Sequence, residues 1–316
     1  IDKNVTEKDY SNNEANTSIY VVSGCEDKDN DGFYEYNAIG CPSGNDCDDN
    51  NASVVPAIDN LIVNRSLTLC RNTYNLSDLG AEGILIINSS NVVLDCNGAT
   101  LKGSESGYGI IVANKNNITI KNCKVTTFSY GIHLDSASNV TIINNTLNLN
   151  SEGLSLHFSA NNTIINNTAS SNTVGIYLYY SSNNNLLNNT ASSNKKSGIY
   201  TYFNSNFNKI LDNTISNNNE TGITTSNCNY FVTEYTCLGG NSNNTIEGNK
   251  ILNNSVGIFS QQSNSTINSN KVYNNTNLDF NSSAWLLSSQ DNNTCDQPAG
   301  WNASSAADAG CKFLYL

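Results

Sequence analysis

The sequence predicts an all-β protein, a right-handed parallel β-helix of about nine coils, opened by a small calcium-type module and closed by a C-terminal cap. Three periodic features predict it. Gly followed by an aliphatic residue returns at Gly83, Gly109, Gly131, Gly153, Gly175, Gly198, Gly222 and Gly257, most steps being 22 to 24 residues. A second signature keeps phase with the first: Ile118-Thr-Ile120, Val140-Thr-Ile142, Thr163-Ile164, Leu186-Leu187, Lys209-Ile210, Thr245-Ile246 and Thr266-Ile267. Asn then stands at a fixed distance beyond it, at 145, 167, 189, 213, 249 and 270, with Asn97 and Cys123 holding the place in earlier coils.

These units are short alternating segments divided by polar turns, and no stretch sustains a 3.6-residue apolar period. A unit this small cannot bury its own apolar side and must stack on copies of itself. Stacked strands lie ~4.8 Å apart, so the coils make a rod roughly 40–45 Å long. An inward Asn at a fixed turn can bond the backbone and the next Asn, as Asn ladders do.

In chain order, residues 1–24 form a polar leader and candidate assembly strand, 25–59 an Asp-rich module, 60–283 the β-helix and 284–316 the cap. The step from Gly222 to Gly257 exceeds one coil, and the excess carries Cys228 and Cys237, read as a loop closed by its own disulfide. Cys295 and Cys311 are read as closing the cap, and Cys96 and Cys123, about one coil apart, as stapling neighbours. Pairing among Cys25, Cys41, Cys47 and Cys70 stays open. Ten cysteines without a CxxC pair read as disulfides of an oxidising compartment, so the protein is expected to be secreted or at the cell surface.

Beginning at Ile1 and holding no Met, the chain reads as a mature, processed product. No apolar run approaches the ~20 residues of a membrane span. A net charge of −12, with Arg65 and Arg71 the only arginines, argues against a nucleic-acid partner.

The repeat resembles the parallel β-helix proteins of archaeal and bacterial surfaces. Asn139-Val-Thr-Ile-Ile-Asn-Asn-Thr-Leu147 followed by Gly153-Leu-Ser-Leu156 carries the likeness, and Asn91-Val-Val-Leu-Asp-Cys-Asn-Gly98 is similar to archaeal secreted members. Such helices serve as enzymes, adhesins and fibres.

Asp27-Lys-Asp29-Asn-Asp31-Gly32-Phe33 sets carboxylates at alternate positions before a glycine turn, a spacing that lets one loop wrap a hard cation. Asp46-Cys47-Asp48-Asp49 follows. There is no Glu at the twelfth loop position and no flanking helix, so this is not a helix-loop-helix sensor. The two clusters resemble the Asp-rich metal-binding motif of secreted microbial proteins, akin to thrombospondin type 3 repeats. That resemblance implies calcium, with Asp27, Asp29, Asp31, Asp46, Asp48 and Asp49 as ligands and Phe33 giving a backbone carbonyl. The ion's implied role is structural.

About twenty Asn-X-Ser/Thr triplets occur, among them Asn64, Asn88, Asn117, Asn139, Asn144, Asn166, Asn188, Asn219, Asn264 and Asn302. Composition alone would write roughly a dozen. Extensive N-glycosylation is expected. The competing reading is a fold requirement that happens to write Asn-Asn-Thr.

In each strand after the Gly, alternate residues point outward. The outward columns read Ile111, His133, Ser155, Tyr177, Tyr200 and Phe259, beside Asp135, His157, Tyr179 and Tyr202. Tyr177, Tyr179, Tyr200 and Tyr202 form a strip expected to contact protein or sugar. His133, Asp135 and His157 read as a solvated surface cluster. Beyond Arg71 the coils hold no Arg, and they show no paired carboxylate columns, so the chain is expected not to be an enzyme. The function expected is structural: a calcium-stabilised, N-glycosylated cell-surface protein, self-assembling into a filament or surface layer. Ile1–Ser23 and Lys312–Leu316 are its candidate joining strands, unless both simply cap the solenoid. The alternatives are a glycan-binding adhesin or, further off, a polysaccharide lyase, hydrolase or epimerase.

Overall fold

The computed structural model describes residues 27–35, 45–78, 80, 82–226, 242–261, 265–281, 289–297 and 311–313. Among them the strands build three parallel sheets of ten, eleven and eleven strands, with no helix. One coil is three strands, Tyr130–Asp135, Ser138–Ile143 and Thr146–Asn148, and the next repeats them at Glu152–His157, Thr163–Ile165 and Thr168–Ser170. Each strand pairs with its counterpart a coil away, so Ile132 stands between Ile110 and Leu154. This is the parallel β-helix the period predicts.

The core is a set of stacked aliphatic columns. Ile110, Ile132, Leu154, Ile176, Ile199, Ile223 and Ile258 form one, all fully buried. Val125, Leu147, Ala169, Ala191, Ile215, Ile251 and Val272 form another, whose small members sit in the middle coils. Each large member contributes about 1.5–3 kcal/mol by leaving water.

The repeating glycine has a steric cause. A Cβ on Gly131 would lie 2.5 Å from the Gly153 carbonyl oxygen, and one on Gly153 would lie 2.7 Å from that of Gly175. Only a residue without a side chain lets successive coils approach there.

The predicted Asn ladder is present, and two more accompany it. Asn145, Asn167, Asn189, Asn213, Asn249 and Asn270 form the expected one, closing on Asn293. Asn150, Asn172, Asn194, Asn218, Asn254 and Asn275 form a second. Asn162, Asn184, Asn208 and Asn244 form a third. In all three the amides are buried and bonded along the axis, which avoids the cost of unsatisfied polar groups.

The strands overrun the expected limits of 60–283. Val54–Val55 already pairs with Leu67–Leu69, and Ser289–Asp291, Asn293–Cys295 and Cys311–Phe313 continue the ladders at the other end. Disulfides join Cys96 to Cys123 and Cys295 to Cys311, as the spacing suggested. A third joins Cys47 to Cys70, tying the acidic module to the first coil. Cys25, Cys41, Cys228 and Cys237 lie outside the described residues.

Candidate functional site

The ten-stranded sheet carries the aromatic strip. Gly-aliphatic-X-aliphatic-X turns both aliphatics inward, and the two X positions of neighbouring coils then stand side by side. His133 pairs with Ser155, Ser155 with Tyr177, Tyr177 with Tyr200 and Tyr200 with Thr224; Asp135, His157, Tyr179 and Tyr202 run parallel to them. Ring centroids are 5.5 Å apart for Tyr177–Tyr200, 6.0 Å for Tyr179–Tyr202 and 6.4 Å for Tyr177–Tyr179. The four predicted tyrosines are thus one contiguous surface.

A second aromatic row stands beside it. Phe158, Tyr180 and Phe203 each follow the last strand residue with a left-handed backbone, φ +49°, +48° and +38°. Phe158 and Tyr180 stack at 5.4 Å, Tyr180 and Phe203 at 5.6 Å. Their planes stand at 86–90° to Tyr179 at the Tyr180 and Phe203 contacts, so they form a wall along a floor of nearly parallel Tyr177, Tyr179 and Tyr202. Phe158 is 55% exposed and Tyr180 37%. Sequence reasoning missed this row, although the doublets His157-Phe158, Tyr179-Tyr180 and Tyr202-Phe203 recur with the coil period.

The histidine cluster is not solvated as expected. His133 is 6% exposed and Ser155 fully buried, because the rings of Tyr108, Tyr130 and His157 close over His133 at 4.8–5.1 Å. Burial drives the His133 imidazole down to about 4 and lowers that of His157. Burial also pushes the Glu152 carboxyl up to about 7. Tyr177 is raised by burial and then by Glu152. His133 Nδ1, His157 Nε2 and Glu152 Oε2 are buried without hydrogen-bond partners. A buried carboxyl shifted to about 7 is able to give and take a proton near neutrality. Asp135 stays half-exposed and accepts a hydrogen bond from Ser136 at 3.1 Å.

The two acidic segments converge. The backbone N–H of Asp46 donates to the Tyr34 carbonyl, and Glu35 bridges to Asp46. Asp27, Asp29 and Asp31 bring carboxylate oxygens within 4.8 Å of one another. They fold the turn around themselves: the Asp31 N–H donates to Asp27 and Asp29, and the Gly32 N–H to Asp27. Asp46 is 1% exposed, and its Oδ2, like Oδ2 of Asp29 and Asp31, is buried without a partner. Burial and then neighbouring carboxylates raise Asp31 and Asp46. Asp49 is answered by Lys28 at 3.1 Å, while Asp48 is exposed. The Phe33 N–H donates to Asp31.

Asn64, Asn88, Asn117, Asn139, Asn144, Asn166, Asn188 and Asn219 are all exposed, and Asn264 and Asn302 lie outside the described residues. Asn117, Asn139, Asn144, Asn166 and Asn188 occupy left-handed turns, φ +53° to +58°. Asn tolerates that conformation better than other branched residues, so the fold itself favours Asn there.

A family model described as periplasmic copper-binding protein (NosD) matches residues 58–235. No curated protein sequence matches the chain. Solved structures do. The Azotobacter vinelandii mannuronan C-5 epimerase AlgE4 A-module is 17% identical with a TM-score of 0.61, over 69% of this chain and 65% of that one. The Dettilon tailspike is 17% identical with a TM-score of 0.63, over 82% and 60%. An alginate lyase from Paenibacillus is 14% identical with a TM-score of 0.57, over 82% and 97%. The chain therefore spans under two thirds of the epimerase module and of the tailspike. At these identities the likeness establishes the right-handed β-helix fold. It also corrects the expectation that the chain is not an enzyme. Epimerases and a lyase are built on this same solenoid, so the fold does not argue against catalysis.

Proposed function

The chain belongs to the NosD family of periplasmic copper-binding proteins, and on that premise we propose that it acts outside the cytoplasm, holding a polysaccharide chain on its aromatic face. The observation that carries this is the floor of Tyr177, Tyr179 and Tyr202 flanked by the wall of Phe158, Tyr180 and Phe203. Aromatic rings take the C–H faces of sugar rings, and an exposed row of them marks a binding surface. Structural neighbours whose names specify mannuronan and alginate support the reading at the level of ligand class.

Copper itself fits poorly. It seeks imidazole, thiolate or thioether donors. The chain has no Met and two His, the described cysteines are in disulfides, and no His joins a converging group of three ligands among the described residues.

Calcium belongs to the same reading, held by Asp27, Asp29, Asp31 and Asp46. It would supply the charge that four neighbouring carboxylates, one of them buried with a partnerless oxygen, otherwise lack. The exposed Asn-X-Ser/Thr sites would carry N-linked glycans. The finer surface role, a filament or surface-layer subunit, has Ile1–Ser23 and Lys312–Leu316 as its candidate joining strands. The former lies outside the described residues, and Cys311–Phe313 pairs with the chain's own Asn293–Cys295. The aromatic face, not the ends, therefore carries the proposal.

Native gels cast with soluble polysaccharides test it. Retardation of the protein by at least one of them is expected, and its loss on joint Tyr177→Ala, Tyr179→Ala and Tyr202→Ala substitution. Free migration through every polysaccharide would end the proposal.

A further inference from the structure

The reading of the aromatic face as a polysaccharide site leaves the kind of sugar open, and the charges along the face narrow it. We infer that the face selects an uncharged polysaccharide over an acidic one.

None of the residues in the ten strands of this sheet is Lys or Arg. The ionisable acids among them are Asp135, Glu152 and Asp279. Asp279 is buried and spent at the C-terminal end, accepting from the backbone N–H groups of Asp296 and Gln297 and from the Asn275 amide. Lys115 and the pair Lys195 and Lys196 lie in turns leaving and entering the sheet, outside its outward columns. Arg65 and Arg71 belong to the first coil. The whole chain carries a net charge of −12.

Past the tyrosines the sheet continues with uncharged polar residues, most of them buried. Ser197, Thr221 and Thr224 share hydroxyl hydrogen bonds, and Ser226 donates to Gln261 at 2.6 Å. Phe259 then follows in the same column. From Tyr108 to Phe259 the surface spans seven stacked strands, about 30 Å at the usual strand spacing.

A chain bearing a carboxylate on every sugar would have to desolvate those charges against aromatic rings with no cation to receive them. It would also meet Asp135 and the field of an acidic protein. A neutral chain meets neither cost, and its C–H faces suit the rings. The inference therefore parts this chain from the alginate enzymes it resembles in fold.

The test uses the native protein in affinity gels of neutral polysaccharides (galactomannan, xyloglucan, mixed-linkage glucan) and acidic ones (alginate, polygalacturonate, hyaluronate). Each gel is run at about 0.1 M and about 1 M salt, with calcium or with chelator. Retardation by a neutral gel is expected, changing less than about two-fold between the two salt concentrations because no charge pairs are involved. No retardation by any acidic gel is expected. Retardation by acidic gels alone, with or without calcium, overturns the inference and leaves the polysaccharide reading standing. So does neutral-gel binding that weakens about ten-fold in high salt. No retardation in any gel, with or without self-association on the face, removes the parent reading as well.

Discussion

Asn145 donates both its backbone N–H and its side-chain amide to one oxygen, Oδ1 of Asn167 in the next coil, each at 2.9 Å. Asn167 in turn donates to the Ile142 carbonyl at 2.8 Å and repeats the double donation to Asn189. Truncation at one rung therefore strands donors below and an acceptor beside it. Asn167→Ala is expected to cost about 3–5 kcal/mol, since each buried unsatisfied group costs about 1–3. Its exposed neighbour Asn166, in a left-handed turn, should cost about 1 kcal/mol as Ala. Denaturant midpoints of the two variants check this, and equal costs would mean the ladder relaxes around its gaps.

Burial shifts Glu152 and His133 in opposite directions. Glu152 is raised from 4.5 to about 7, so its contribution to stability is complete below 4.5 and lost as pH rises towards 7. His133 is lowered from 6.5 to about 4, so its contribution is complete above 6.5 and lost as pH falls towards 4. The windows overlap with opposite signs, and the native protein should be nearly flat between them. His157 and Asp135 face His133, while Tyr130 and Tyr177 face Glu152, and the neutral His157 imidazole adds to the acid-side loss. Glu152→Gln should unmask a stability that falls on acidification by up to about 3 kcal/mol, and His133→Gln the reverse slope. Thermal midpoints across that range measure both, and two variants with the native profile would deny the burial of the pair.

Phe158, Tyr180 and Phe203 hold a backbone conformation that costs a bulky residue about 1–2 kcal/mol, and ring stacking returns about 0.5–1.5. Asn114 and Ser136 hold the same turn conformation in earlier coils, so the turn does not require an aromatic residue there. Tyr180→Asn, which suits φ +48°, should leave the thermal midpoint level or higher while weakening retardation in polysaccharide gels. A sharp fall in the midpoint with binding intact would make the row a packing device.

The period, the glycine column and the aliphatic core were legible because each follows from backbone needs repeated in every coil. The second and third Asn ladders repeat as regularly, yet they escaped notice in a chain where Asn is everywhere. Alternation places His133 and Ser155 on the outer face, and it cannot say that rings from adjacent coils fold over them. That burial, and with it the opposed shifts of Glu152 and His133, arises only from stacking. The two acidic segments are legible as clusters, but spacing does not say that Asp46 turns inward while Asp48 faces out.

Calcium loading should depend on Asp46 more than on Asp48. Asp46 is buried beside Asp29 and Asp31, and the exposed Asp48 is not. By calorimetry, Asp46→Asn should weaken calcium binding at least about ten-fold, with Asp48→Asn nearly silent. Chelation should open residues 27–59 to protease and leave the solenoid strands protected against amide exchange, because the coils draw their stability from their own stacking. Equal effects of the two variants would relocate the ion.

Asn144, Asn166 and Asn188 stand on consecutive coils, since the Ile143, Ile165 and Leu187 strands beside them pair in register. The spacing between such strands is ~4.8 Å, narrower than a branched glycan core. A glycan on one coil therefore crowds the acceptor on the next. The left-handed turn supplies a reason for Asn at all three positions that owes nothing to glycosylation. Glycopeptide mass spectrometry should find no single molecule occupied at all three, with Asn144 and Asn188 together the most that one chain carries. Full triple occupancy would show that the glycans splay freely, and would remove spacing as the limit on how densely this rod is coated.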